Sequence, residues 1–110
     1  MAETFKNAYQ DIRSSAATIY TCPSGTTAIV LTLRITNIDG TNDDTITADI
    51  IDSGGSANAR IAYTITVPAD STLELAGTSK LVLEAGDYIQ LQGAASSGDL
   101  EAFASILEIT

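Results

Sequence analysis

Thr27-Ala28-Ile29-Val30-Leu31-Thr32-Leu33-Arg34-Ile35-Thr36 is the stretch whose reading decides the fold class. Ile29, Leu31, Leu33 and Ile35 recur at every second position, with Thr32, Arg34 and Thr36 among the residues between them. That is the period of a half-buried strand; a helix would space its apolar residues three and four apart. The alternation predicts that Ile29, Leu31, Leu33 and Ile35 face the core. Val30 breaks the outer face and asks for cover from a neighbour.

The same period extends outward on both sides. Ile46, Ala48 and Ile50 alternate with Thr45, Thr47 and Asp49, and Ile61, Tyr63, Ile65 and Val67 alternate with Ala62, Thr64 and Thr66, a phase that places Tyr63 in the core. Ala17-Thr18-Ile19-Tyr20-Thr21 reads as a strand closed by Cys22-Pro23-Ser24-Gly25, where Pro23 presets φ and Gly25 supplies the turn. Leu73 with Leu75, and Leu81 with Leu83, form short strands separated by Gly77-Thr78-Ser79. Glu84-Ala85-Gly86-Asp87 follows as a tight turn in which Gly86 takes the positive φ, and residues 88–91 resume the sheet. Short β-favouring runs about ten residues apart, each ended by Gly, Pro, Asn, Asp or Ser, have the spacing of a sandwich or barrel; the expected fold is all-β, a single-domain β-sandwich, jelly-roll-like in character.

Both ends of the chain carry apolar residues that such a sandwich has little material to cover. In the closing run, Leu100, Ala102, Ala104 and Ile106 share one strand face while Phe103, Leu107 and Ile109 share the other. A strand paired inside a sheet accounts for these residues better than the amphipathic helix that Phe103, Ile106 and Leu107 would allow. Phe5, Tyr9 and Ile12 fit a helical stripe, whereas Phe5, Asn7 and Tyr9 fit an extended arm packed on the body or on a neighbour; the extended arm is favoured. The expected organisation is an N-terminal arm over 1–15 and a β-sandwich over 16–110. Candidate inter-subunit contacts are Phe5, Tyr9, Ile12, Phe103, Leu107 and Ile109.

Composition narrows the function from the other direction. At 110 residues and 11.4 kDa, the chain is the size of one domain, able to bury about 65% of its unfolded surface. Hydrophobic residues make up 45% and charged residues only 17%, too apolar and too weakly charged for a disordered chain. A net charge of −9 repels nucleic acid and anionic membranes, so neither is an expected partner. The chain has no His and one Cys, which removes the commonest general base and leaves no intrachain disulfide or cysteine-based zinc site. The start of the sequence lacks the layout of a signal peptide and no apolar run reaches 18 residues, so synthesis in a cytoplasm is expected.

The constellations that carry chemistry elsewhere are weak here. Asp39-Gly40-Thr41-Asn42-Asp43-Asp44 is rich in oxygen ligands, but Thr41 takes the third calcium-ligand position, Asp44 stands where Gly is wanted, and Ile50 replaces the twelfth-position Glu. Its ordinary reading is a hairpin turn held by side-chain to backbone bonds. Asp49, Glu74 and Glu84 fall on outer phases or in turns, where solvated carboxylates are unremarkable. Asp52-Ser53-Gly54-Gly55-Ser56 has no Lys for a phosphate loop and reads as a flexible rim loop. Lys6, Arg13, Arg34, Arg60 and Lys80 are dispersed. No cofactor, metal or catalytic residue is expected.

One ordered set of segments is more specific. It runs from Thr4-Phe5-Lys6 through Ile19-Tyr20-Thr21-Cys22-Pro23-Ser24-Gly25-Thr26-Thr27-Ala28-Ile29-Val30 and Asn37-Ile38-Asp39-Gly40-Thr41. It continues through Val67-Pro68-Ala69-Asp70-Ser71-Thr72-Leu73 and Lys80-Leu81-Val82-Leu83-Glu84-Ala85-Gly86-Asp87 to Ile106-Leu107-Glu108-Ile109. Over nearly the whole chain this resembles a family of short β-rich virion structural proteins of tailed bacteriophages. The resemblance implies a non-enzymatic subunit present in many copies, made in the host bacterium and carried on the virion, with capsid or neck and tail proteins and its own copies as partners. A capsid decoration or cement role leads. A neck, tail or fibre component is the alternative within the class, and a carbohydrate-binding adhesion module with converging exposed tyrosines is the alternative outside it.

Overall fold

The computed structural model describes residues 2–54, 58–76 and 80–110. The Gly77-Thr78-Ser79 break, and Gly55 and Ser56 of the expected rim loop, lie outside the described residues. Nine strands form among the described residues: β1 (Glu3–Ile12), β2 (Ala17–Thr21), β3 (Thr27–Asn37), β4 (Asp44–Ile51), β5 (Asn58–Val67), β6 (Thr72–Glu74), β7 (Leu81–Leu83), β8 (Tyr88–Gly93) and β9 (Leu100–Ile109).

The strands make two antiparallel sheets, one ordered β1-β9-β3-β6 with β7 also paired to β3, the other ordered β2-β8-β4-β5. β6 lies along residues 34–36 of β3 and β7 along residues 28–30, both on the edge opposite β9, so together they serve as one interrupted strand. With β6/β7 counted as one, successive strands cross between the sheets except at β4–β5, and the result is an eight-position jelly-roll β-sandwich. The interruption is filled by side chains. The Glu74 carboxylate accepts from the Leu33 amide at 2.9 Å, and the Lys80 ammonium donates to the Leu31 carbonyl at 2.9 Å.

β9 sits inside its sheet, antiparallel to β1 on one side and β3 on the other. Leu100, Ala102, Ala104 and Ile106 face the core, as the two-faced reading of that strand requires. Residues 3–12 of the segment set apart as an arm are extended and pair along their whole length with β9, giving the sheet its edge. The core between the sheets holds Ile12, Val30, Leu33, Ile35, Ile46, Leu83, Ile89, Leu91, Leu100 and Ile106, all fully buried. Removing each such side chain from water stabilises the fold by about 1.5–3 kcal/mol before entropy is counted.

Two expectations of phase are corrected, both by bulges. In β3 the register against β9 shifts between Val30 and Thr32, so Leu31 is an extra residue and the alternation reverses there. Leu33 and Ile35 point inward as expected, but so does Val30, fully buried, while Ile29 and Leu31 are only half-buried. In β5 the register against β4 shifts twice, and Thr64 takes a φ of 46°. Ala62 is buried instead of Tyr63, which is 60% exposed beneath the Arg60 guanidinium at 4.5 Å from its ring centre. Ile65, placed inward by the alternation, is 44% exposed on this edge strand.

The Asp39 loop is also not a hairpin, because β3 and β4 belong to opposite sheets. It is a crossover folded around side-chain bonds. Asp39 Oδ1 accepts from the Thr41 and Asn42 amides, and Asn37 Nδ2 donates to the carbonyls of Asn42 and Val67.

Candidate functional site

The outer face of the β1-β9-β3-β6/β7 sheet collects what the sequence left uncovered. Cross-strand register lines up Phe5, Leu107, Ile29 and Val82 in one row spanning the sheet from edge to edge. Phe5 is 74% exposed and Val82 58% exposed, with Leu107 and Ile29 half-buried between them. Two residue pairs along the strands, a second row holds Tyr9, Phe103, Arg34 and Glu74. The Tyr9 and Phe103 rings meet at 5.4 Å and 42°, and the Arg34 guanidinium stands 3.5 Å from Glu74. Beyond it a polar row of Asp11, Glu101, Thr36 and Thr72 closes that end. An open groove of about 270 Å³ runs between Tyr9 and Phe103 on one side and Asp11 and Glu101 on the other.

The opposite sheet presents a different outer face. Thr18, Gln90, Asp49 and Arg60 form its central row, flanked by Gln92 and Thr47. Asp49 is held by the Arg60 guanidinium at 3.1 Å. The centre of this face is therefore polar, with Tyr88 and Ile51 paired beside it and Tyr63 exposed on β5, while the other face carries a continuous aliphatic and aromatic row from edge to edge.

The long edges are guarded against strand addition. In β1, Lys6 points toward the sandwich interior and pairs with Glu108 at 3.1 Å, an inward charge that a docking strand would have to strip. In β5 the bulge at Thr64 twists the edge out of line. Glu108 is 7% exposed and also accepts a 2.5 Å bond from the Tyr20 hydroxyl. That hydroxyl and the Lys6 ammonium hold the Glu108 carboxyl below its usual range, while burial and the adjacent carboxylate push the Tyr20 phenol up. Burial likewise raises the Cys22 thiol, which is 1% exposed.

Of the contact residues expected from sequence, Phe5, Tyr9, Phe103, Leu107 and Ile109 share the outer face, each at an outward position of β1 or β9. Ile12 does not. It sits at the last position of β1, turned inward and fully buried, and so belongs to the core. Ile29 and Val82 complete the row but were not singled out. Val82 was legible as the outward middle residue of Leu81-Val82-Leu83, whereas Ile29 was assigned inward by an alternation that the bulge reverses.

Other groupings have structural employment. Asp49 and Glu74, the pair that a carboxylate enzyme would require to face each other, lie on the outer faces of opposite sheets. Asp52, Glu84 and Asp87 line an open cleft of about 460 Å³ at one end, where Asp87 accepts from the Glu84 amide and fixes the turn. Asp39 is held below its usual range by the Thr41 amide and the other donors of its loop, which it serves as a local cap. No group of three or more metal-ligating side chains occurs among the described residues.

A subunit of Bacillus endospore appendages, described as forming a family of disulfide-linked pili, superposes with a TM-score of 0.55 at 19% identity, covering 99% of this chain and 87% of that one. This chain is similar in fold to that pilus subunit and to viral particle proteins. The infectious bursal disease virus protein from the T13 particle matches with a TM-score of 0.54 at 8% identity, and that of the Gx strain with 0.54 at 11%. The chain covers 30% of each of those viral proteins while they cover 96% and 98% of it. At these identities the likeness is one of fold. No protein-family model and no curated sequence matches the chain.

Proposed function

We propose that this chain is a non-enzymatic structural subunit of an assembled particle, a virion protein of the tailed-phage type that decorates and cements the capsid. The observation that carries the reading is the Phe5-Leu107-Ile29-Val82 row, which crosses one outer face from edge to edge with Phe5 and Val82 exposed, while the long strand edges are guarded. A rigid sheet face of this kind suits repeated contacts between identical or neighbouring subunits. Assembly proteins among the fold neighbours, a pilus subunit and viral particle proteins, support the same class.

Assembly here is non-covalent. The pilus relative is described as disulfide-linked, whereas Cys22 of this chain is buried between the sheets, its thiol directed at the Thr26 carbonyl at 3.3 Å. The adhesion-module reading requires exposed tyrosines that converge on one rim. Tyr20 is instead committed to Glu108, Tyr88 is half-buried on β8, and the exposed Tyr9 and Tyr63 stand on β1 and β5, in different sheets and at opposite sides of the sandwich.

The test is co-sedimentation of the purified chain with phage capsids and, separately, with tails, for wild type and for Phe5→Ala with Tyr9→Ala. Capsid binding that the double substitution weakens at least tenfold is the expected result. Binding to tails alone would move the protein to the neck, tail or fibre, and binding to neither would remove the virion reading.

A further inference from the structure

We infer that the outer face of the β1-β9-β3-β6/β7 sheet is covered by the same face of a second copy of this chain, the two related by a two-fold axis parallel to the strands and passing between β9 and β3. The inference deepens the assembly reading by naming the occupant of the face.

Self-complementarity is the first ground. Such an axis keeps each row level with itself and reverses its order, so β1 faces β6/β7 of the second copy and β9 faces its β3. In the apolar row, Phe5 meets the second copy's Val82 and Leu107 meets its Ile29. In the aromatic row, the Tyr9 hydroxyl reaches the second copy's Glu74, and the Phe103 ring receives its Arg34 guanidinium, the geometry of a cation–π contact. In the polar row, Asp11 and Glu101 meet Thr72 and Thr36, hydroxyl donors instead of carboxylates. A two-fold axis across the strands would lay the Arg34–Glu74 row over the aliphatic row and desolvate that ion pair against apolar side chains, a costly arrangement. Aligned sheets crossing at about 30° displace the central rows by less than one strand spacing, so these pairings survive the twist.

Size is the second ground. Four strand positions about 4.8 Å apart and ten residues at about 3.4 Å give a face of roughly 19 by 33 Å. That is about 600 Å² per copy, at the lower bound of specific interfaces. Charge sets the conditions. Each copy carries −9, and the acidic row stays at the same end in both, so association tightens as salt screens the repulsion. A basic protein partner on this face would instead be released by salt.

The experiment uses the full chain. Sedimentation equilibrium at 50 and 500 mM salt is expected to show a species of twice the 11.4 kDa chain mass, more populated at the higher salt. Phe5→Glu with Val82→Glu, at exposed positions that leave the core untouched, is expected to weaken dimerisation about 100-fold. Mixing Phe5→Cys protein with Val82→Cys protein is expected to give a disulfide-linked heterodimer on oxidation, with each variant alone crosslinking at least tenfold more slowly. A monomer at all concentrations and salts, or a dimer that the Phe5–Val82 pair does not crosslink, overturns the inference. Capsid and tail binding is measured on the same samples. A monomer that still binds particles overturns the dimer alone, and a crosslinked dimer that binds none upholds it while removing the virion reading.

Discussion

The Tyr20 hydroxyl and a Glu108 carboxylate oxygen meet at 2.5 Å, joining β2 of one sheet to β9 of the other across the open side of the sandwich. Lys6 closes the same carboxylate from β1 at 3.1 Å. Three strands from two sheets are thereby tied at one buried charge. The carboxylate accepts from both a neutral and a charged donor, which is why an acid is tolerated at an inward position of β9.

This linkage predicts a pH dependence. Glu108 is held below its ordinary value of 4.5, chiefly by the Tyr20 hydroxyl, so folding favours its ionised form. The stabilisation is complete above the ordinary carboxylate value and is lost as the pH falls through the lower, folded value. Tyr20→Phe is expected to cost about 1–3 kcal/mol at pH 7 and distinctly less at pH 3, by urea unfolding. Equal costs at the two pH values would show that the bond contributes nothing specific to the ionised state.

The bulge in β3 predicts unequal costs for two leucines two positions apart. Leu33 is fully buried, and Leu33→Ala is expected to destabilise the fold by about 2–5 kcal/mol. Leu31 is the extra, half-buried residue, so Leu31→Ala is expected to cost less than half as much. Chemical denaturation of the two variants measures the difference, and equal values would contradict the reversal of phase.

Two glycines with positive φ separate backbone strain from steric conflict. Gly25 has a φ of 71° with open space where a Cβ would be, so Gly25→Ala is expected to cost about 1–2 kcal/mol from strain alone. Gly86 has a φ of 87°, and a Cβ there would lie 2.5 Å from that of Ser53. Gly86→Ala is expected to cost about 2–5 kcal/mol, part of it recovered by adding Ser53→Gly. Thermal unfolding of the single and double variants checks this, and no recovery in the double variant would mean that Ser53 is not the obstacle.

Cys22 is expected to resist alkylation in the native state, because burial both raises its thiol and excludes the reagent. Mass spectrometry after iodoacetamide treatment should find it unmodified in native protein and fully modified in urea. Rapid native labelling would mean that the end of the sandwich near residues 22–26 opens readily.

Strand content, the two-faced closing strand and the turn glycines were legible along the chain, because each depends on near neighbours. Side-chain period, a proline's fixed φ and a glycine's tolerance of positive φ are local properties. The apolar character of Phe5, Tyr9, Phe103 and Leu107 was legible for the same reason, but not that they share one outer face. What alternation alone could not reveal was where it fails. A bulge leaves no mark in the residues that form it, since it arises from register against a partner strand far along the chain. That is why Tyr63 was placed in the core and Ile29 was placed inward.

Ile12 marks the same division at the end of β1: its apolar character was plain, but the direction it faces follows from its pairing with Leu100 of β9. Local chemistry therefore determined that this chain is all-β, with a closing strand that is apolar on both faces. The row from Phe5 to Val82 was decided only by tertiary structure, because pairing four strands from distant parts of the chain is what places those residues side by side.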